Sequence, residues 1–168
     1  MYRPETGQPL YDLAQALLRA GSPDSTLHDA DRELIAAFVS KQNQTDFCMN
    51  SHAAASRYLY ADQRDVVDQT LANVDTAPIS AKLKALLAIA GHVKADARTV
   101  SDALVAAARA DGATEGDIHD TVLIAASFCM YNRYVDGLAT FTPTDSAAYK
   151  AMGERMGTVG YQLPKARS

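Results

Sequence analysis

The positions of the six prolines constrain the fold of this 168-residue chain more than any other feature. Prolines stand at 4, 9, 23, 78, 143 and 164, so the stretches 24–77 and 79–142 contain none. Because proline disrupts helix interiors, these two stretches are where long helices are expected. The chain also has 31 alanines, and alanine is a strong helix former and a weak strand former. The sequence therefore predicts an all-α fold.

Composition excludes several classes of protein. The length fits a single domain over residues 1–168, and a net charge of −4 argues against a nucleic-acid-binding surface. The longest apolar run, 122–131, is about half of the ~20 residues that a membrane-spanning helix needs. Residues 1–5 are polar and lack the apolar core of a signal peptide. We therefore expect a cytoplasmic protein without a membrane partner.

Apolar spacing and capping residues predict a bundle of about eight helices. The expected helices cover about 9–20, 29–41, 45–60 and 62–72, then 80 onwards, 99–111, 114–138 and 144–156. Thr114 followed by Asp117 predicts a variant of the capping box at the start of the seventh helix. No alternating apolar run is convincing enough to predict a strand.

One segment carries residues typical of nucleophilic chemistry. If Thr45 is the N-cap of the third helix, Cys48 occupies the third helical position, where the helix dipole favours an anion and lowers a thiol pKa. His52 follows four residues later on the same helix face and is within reach to relay the thiol proton. Glu33, on the preceding helix, is then expected to orient His52. The spacing alone also fits a buried structural cysteine and a structural histidine.

The same residues resemble a known family signature. Glu33, eleven intervening residues, Thr45, two residues, Cys48, three residues and His52 resemble the Glu-x11-Cys-x2-Cys-x3-His signature of alkylhydroperoxidase D-like proteins. These proteins belong to the carboxymuconolactone decarboxylase superfamily. The segment Asp31–Ala36 resembles the family's helix that carries the glutamate, and two downstream segments, Lys84–Ala90 and Phe128–Leu138, resemble the peroxidase-related branch. The resemblance covers about residues 25–140.

The resemblance implies a fold and a reaction. It implies an alkylhydroperoxidase D-like bundle in which Cys48 attacks a hydroperoxide and becomes a sulfenic acid, while Glu33 and His52 move protons. The first cysteine of the family pair falls at Thr45, so a local disulfide cannot form. The sulfenic acid would then be reduced by an external thiol or by Cys129. No cofactor is implied, and the expected assembly is a homo-oligomer: a trimer, a hexamer or a dimer.

Supporting residues are expected on the seventh helix. Asn132, Arg133 and Asp136 lie within about one turn of each other, and the resemblance brings this stretch close to the motif helix. Arg133 would attract an anionic substrate or stabilise a thiolate, or alternatively pair with Asp136. The histidines have no metal-ligand spacing, so no metal site is expected.

Two other functions stay open at this point. A lyase or isomerase of the carboxymuconolactone decarboxylase type would use Glu33 and His52 as acid and base, with Cys48 incidental. A non-catalytic family member would keep Cys48 as a core residue with a thiol pKa near ~8.5 or above.

Overall fold

A computed structural model of the protein describes residues 3–162, and the ends of the predicted domain, 1–2 and 163–168, lie outside the described residues. In the described range the chain forms eight α-helices and no strand. The helices are α1 (Pro4–Gln15), α2 (Asp29–Gln42), α3 (Asp46–Tyr60), α4 (Asp65–Ala72), α5 (Ala81–Asp96), α6 (Asp102–Ala110), α7 (Glu115–Gly137) and α8 (Ser146–Val159). The predicted all-α fold of about eight helices is confirmed.

Polar side chains cap several of the helix starts. The hydroxyl of Ser80 accepts a hydrogen bond from the backbone of Leu83, and Ser101 caps α6 in the same way. Thr114 and Asp117 form the predicted capping box of α7. These polar side chains satisfy backbone N–H groups that have no partner within their own helix.

The first helix differs from the prediction. It begins at Pro4 rather than Pro9, and Pro9 lies inside it. Pro4 stands in the first turn, where a missing backbone N–H costs nothing, whereas Pro9 removes one internal hydrogen bond. After Gln15 the chain continues as a π-helical turn over Ala16–Ala20.

The hydrophobic core lies between α2, α5 and α7. Leu34, Ile35, Leu86, Leu87 and Ile124 are fully buried there. Each such side chain contributes roughly 1.5–3 kcal/mol when it leaves water. Helix α2 is surrounded on most sides, so charged residues on it must find partners inside the protein.

Two aspartates of α7 hold the connector between α1 and α2. Asp117 accepts hydrogen bonds from residues 25–27, and Asp120 accepts them from the backbone and hydroxyl of Ser22. Arg32 of α2 donates to Asp120 at 2.7 Å within the buried interior. This network fixes the entry of α2 relative to α7.

Helix α8 packs closely on α3. A Cβ atom at Gly153 would lie 2.5 Å from the backbone carbon of Ala54, and Gly157 lies against the ring of Tyr58. The two glycines, four residues apart, share one helix face. They allow the two helices to approach more closely than larger residues would permit.

Candidate functional site

A tight turn folds α3 back on α2 and brings the predicted motif together. The backbone N–H of Thr45 donates to the Ser40 carbonyl and that of Gln44 to Lys41, each at 3.0 Å, which is the Schellman pattern of helix ends. Gln44 occupies the left-handed region with φ of 61°. Because only three residues separate the helices, α2 and α3 run antiparallel with Glu33 facing His52.

Glu33 and His52 form a buried pair. His52 Nδ1 lies 2.6 Å from Glu33 Oε2, and Glu33 is 0% exposed. Glu33 and His52 therefore lie in direct contact, as the sequence predicts. The ring of Phe128 meets the His52 ring edge-on at a centroid distance of 4.6 Å, which restricts its orientation.

Two residues absent from the sequence-based motif complete the pair. Arg19 and the hydroxyl of Tyr161 each donate to Glu33 Oε1 at 2.7 Å. Arg19 belongs to the π-helical turn after α1, and such turns often carry functional side chains. The Tyr161 oxygen also lies 3.2 Å from His52 Nδ1.

The single hydroxyl proton of Tyr161 determines which nitrogen of the His52 imidazole carries hydrogen. A tyrosine hydroxyl has one proton, which Tyr161 donates to Glu33, so its oxygen meets His52 Nδ1 as an acceptor. Nδ1 therefore carries hydrogen, directed at Glu33 Oε2 and the Tyr161 oxygen. In the neutral ring, Nε2 is then the basic nitrogen, and it has no hydrogen-bond partner among residues 3–162.

Cys48 occupies the third position of α3, as predicted, and is 5% exposed. Burial raises the pKa of the Cys48 thiol to about 11, the Asn132 side chain lowers it by hydrogen bonding, and the charge of Asp136 raises it. This raised pKa is opposite in direction to the lowering expected from the helix dipole, and its largest cause is the removal of the thiolate from water.

Comparisons with known proteins agree with this architecture. No protein-family model and no curated protein matches the sequence. A solved alkylhydroperoxidase core structure, an uncharacterized peroxidase-related protein from Ralstonia eutropha, is similar with a TM-score of 0.78 and 27% identity, over 91% of this chain and 77% of that one. The chain has the alkylhydroperoxidase D-like fold. The predicted resemblance is confirmed.

A second solved structure supports the fold. It is an uncharacterized peroxidase-related protein from a Silicibacter species, with a TM-score of 0.79 and 24% identity, over 90% of this chain and 76% of that one. In this alkylhydroperoxidase D-like fold, the turn before α3 has Thr45 at the first cysteine position of the signature, whereas Cys48 in the first turn of α3 keeps the second.

Thr45 takes part in the site without capping α3. Its hydroxyl donates to Asp136 Oδ2 at 2.5 Å instead of accepting from the first turn of the helix. Thr45 and Asp136 are thus brought together, which links the motif turn to α7. The backbone N–H groups beside Cys48 consequently lack a side-chain cap.

Amide side chains connect the site to the second cysteine. Asn43 donates to Asn132 Oδ1 at 2.8 Å and lies 3.8 Å from the Cys129 sulfur. Asn132 also donates to Ser40 at 3.0 Å. Both cysteines are free thiols, with Cys129 half-buried on α7.

Arg133 forms neither of the predicted contacts through an ion pair. It is exposed and donates to the carbonyl of Cys129 in its own helix at 2.8 Å. In residues 3–162 it forms no ion pair with Asp136, whose carboxylate accepts from Thr45 instead. Its expected action on an anionic substrate or a thiolate stays a prediction.

No group of three or more His, Cys, Asp or Glu side chains in residues 3–162 is arranged to hold a metal ion. None of the described helices has the length and apolar character needed to cross a membrane.

Proposed function

We propose that the protein is a thiol-dependent peroxidase that reduces hydroperoxides through Cys48 and so acts as an antioxidant. The observation that carries the proposal is the buried Glu33–His52 pair, which holds a histidine with a basic Nε2 on the same helix as Cys48. A buried carboxylate that fixes the tautomer of a histidine is a common arrangement for activating a nucleophile.

Because the pKa of the Cys48 thiol is raised, the reaction needs a base that removes the thiol proton. With a pKa of about 11, only about one thiol in ten thousand is ionised at pH 7. The thiol proton therefore has to leave as the hydroperoxide binds, and Nε2 of His52 is the base that accepts it. Uncapped N–H groups at the start of α3 then stabilise the sulfur anion.

The redox step is a two-electron transfer. The Cys48 sulfur attacks the terminal oxygen of the hydroperoxide, the O–O bond breaks, and the leaving alkoxide takes the proton held by His52. The products are the Cys48 sulfenic acid and an alcohol, or water from hydrogen peroxide. One external thiol then forms a mixed disulfide and releases water, and a second thiol releases Cys48 as a thiol.

The charges around Cys48 favour a neutral hydroperoxide. The negative charge of Asp136 acts on the sulfur, and Arg133 donates to the carbonyl of Cys129. Arg19 already pairs with Glu33. A carboxylated substrate would meet Asp136 at this site without an added cation, which is unfavourable.

The test is to trap the sulfenic acid. Purified protein is treated with hydrogen peroxide or a neutral alkyl hydroperoxide and a sulfenic-acid reagent, and the adduct is located by mass spectrometry. We expect the adduct on Cys48, thiol-dependent peroxide consumption in the Cys129→Ser variant, and neither in Cys48→Ser. Equal consumption by Cys48→Ser and the unmodified protein would rule the proposal out.

The lyase or isomerase alternative also has an observation in its favour. The Glu33–His52 pair, with Arg19 and Tyr161, forms without any hydrogen bond from Cys48. For that function, Cys48→Ser keeps activity and His52→Ala loses it. The raised thiol pKa likewise agrees with a non-catalytic role, in which neither variant changes any turnover.

We further propose that the protein acts as a homo-oligomer in the cytoplasm, with a small-molecule hydroperoxide and an external thiol as partners. An exposed apolar row along the end of α7 and its C-cap, Met130, Tyr134 and Leu138, supports self-association. Light scattering coupled to size exclusion tests the assembly, and a monomer at all concentrations would contradict it.

A further inference from the structure

Tyr161, two residues after the end of α8, enters the site from the far end of the described chain. Gly160 turns the backbone with φ of 66°, and the N–H of Tyr161 donates to Gln15 Oε1 at 2.7 Å. Arg19 donates to the Met156 carbonyl at 2.9 Å and its guanidinium lies 5.5 Å from the centre of the Tyr161 ring. The turn is therefore attached to α1 and its π-helical extension at three points.

The ring and the hydroxyl of Tyr161 make separate contacts. The ring is nearly parallel to the His52 ring at a centroid distance of 6.1 Å. The hydroxyl meets Glu33 at 2.7 Å and His52 Nδ1 at 3.2 Å. Packing alone would need only the ring, since a phenylalanine fills the same space.

We infer that Tyr161 is a positioning residue whose hydroxyl keeps the imidazole proton of His52 on Nδ1 and leaves Nε2 as the base. By donating to Glu33, the hydroxyl turns its lone pairs towards Nδ1–H. In the other neutral tautomer, with hydrogen on Nε2, the lone pair of Nδ1 would face both Glu33 Oε2 and the tyrosine oxygen. Tyr161 thus acts through His52, and this inference deepens the proposed peroxidase function.

Substitution of Tyr161 by phenylalanine separates the hydroxyl from the ring. The matched control is Tyr149→Phe, because the hydroxyl of Tyr149 is buried and has no hydrogen-bond partner in the described range. Both variants lose one phenolic oxygen and keep the aromatic ring. Thermal unfolding establishes that each variant is folded.

The primary measurement is the nitrogen NMR spectrum of the imidazole, which distinguishes protonated from unprotonated ring nitrogens and needs no substrate. We expect one neutral tautomer for His52, with hydrogen on Nδ1, in the unmodified protein and in Tyr149→Phe. Tyr161→Phe should populate both tautomers. Gln15→Leu, which keeps the hydroxyl but removes the acceptor for the Tyr161 backbone, should change the same signal less.

The kinetic measurement separates this inference from the proposed function. Tyr161→Phe should lower kcat for hydroperoxide reduction about tenfold and leave KM unchanged, because the hydroxyl positions a base. An unchanged His52 tautomer in Tyr161→Phe overturns the inference whatever the activity. If Cys48→Ser proves fully active while the tautomer shifts as expected, the peroxidase proposal fails and the role of Tyr161 stands.

Discussion

The hydroxyl of Tyr161 donates to Oε1 of Glu33 at 2.7 Å although 128 positions of the sequence separate the two residues. Arg19, from the first helical segment, donates to the same oxygen. The side chains that hold the Glu33–His52 pair therefore come from both ends of the described chain. Its geometry depends on how α8 and α1 are attached as much as on the motif itself.

Alkylation of Cys48 should depend steeply on pH. Burial raises the pKa of its thiol to about 11, so the reactive thiolate increases about tenfold per pH unit between pH 7 and 10. The rate with iodoacetamide, measured in the Cys129→Ser background to isolate one thiol, should rise accordingly. A rate that reaches a plateau below pH 8 would mean that the thiol pKa is low instead.

Asp117→Asn should destabilise the protein by about 2–4 kcal/mol. Asp117 accepts hydrogen bonds from residues 25–27 and Thr114 and lies 3.2 Å from the Lys82 ammonium. Burial opposes ionisation, but the hydrogen bonds from this connector hold the pKa of Asp117 well below its ordinary range. Urea unfolding at pH 7 measures the loss, and Asp62→Asn at an exposed site is the control.

The same aspartate gives a pH signature. Because its pKa is lowered in the folded state, its contribution is present above the unfolded pKa of about 3.9 and is lost as the pH falls through the folded value. The stability difference between the unmodified protein and Asp117→Asn should therefore shrink below pH 4. A difference that stays constant down to pH 2 would assign the effect to packing.

Gly153→Ala should weaken the attachment of α8. The new methyl would lie 2.5 Å from the Ala54 carbon and 2.6 Å from its oxygen, and a backbone cannot move aside as a flexible side chain can. A cost of about 1–3 kcal/mol is expected, as for other overpacked sites. Since α8 leads directly into the turn that carries Tyr161, the tautomer of His52 should change as well.

Gly137→Ala is the matched control for that variant. Nothing lies within 4 Å of a Cβ atom at Gly137, which ends α7. Alanine is a better helix former than glycine, so the control should be neutral or slightly stabilised. Equal unfolding temperatures for the two variants would contradict the close packing of α8 on α3.

Local sequence patterns predicted those features of the fold and the site that depend on neighbouring residues in the chain. Thr114 and Asp117 identified the start of α7, and the spacing from Glu33 to His52 identified the central pair. The predicted start of α1 at Pro9 is wrong, because the helix begins at Pro4 and extends through Pro9.

The rest of the site depends on tertiary packing. No spacing relates Tyr161 or Arg19 to Glu33, so their convergence has no signature in one sequence. The pKa direction of Cys48 could not be predicted for the same reason. Its position in the first turn of α3 follows from the sequence around Thr45, but the burial that raises its pKa is a property of the tertiary structure.

The attachment of the Tyr161 turn to Gln15 has a consequence for synthesis on the ribosome. Residues 160–162 leave the exit tunnel after helices α1 to α8, and until then Glu33 lacks its tyrosine donor and His52 lacks its neighbouring ring. The complete hydrogen-bond arrangement around His52 arises only after this turn has been released and has attached to Gln15. A nascent chain therefore acquires the arrangement around its base later than it acquires the helices that surround it.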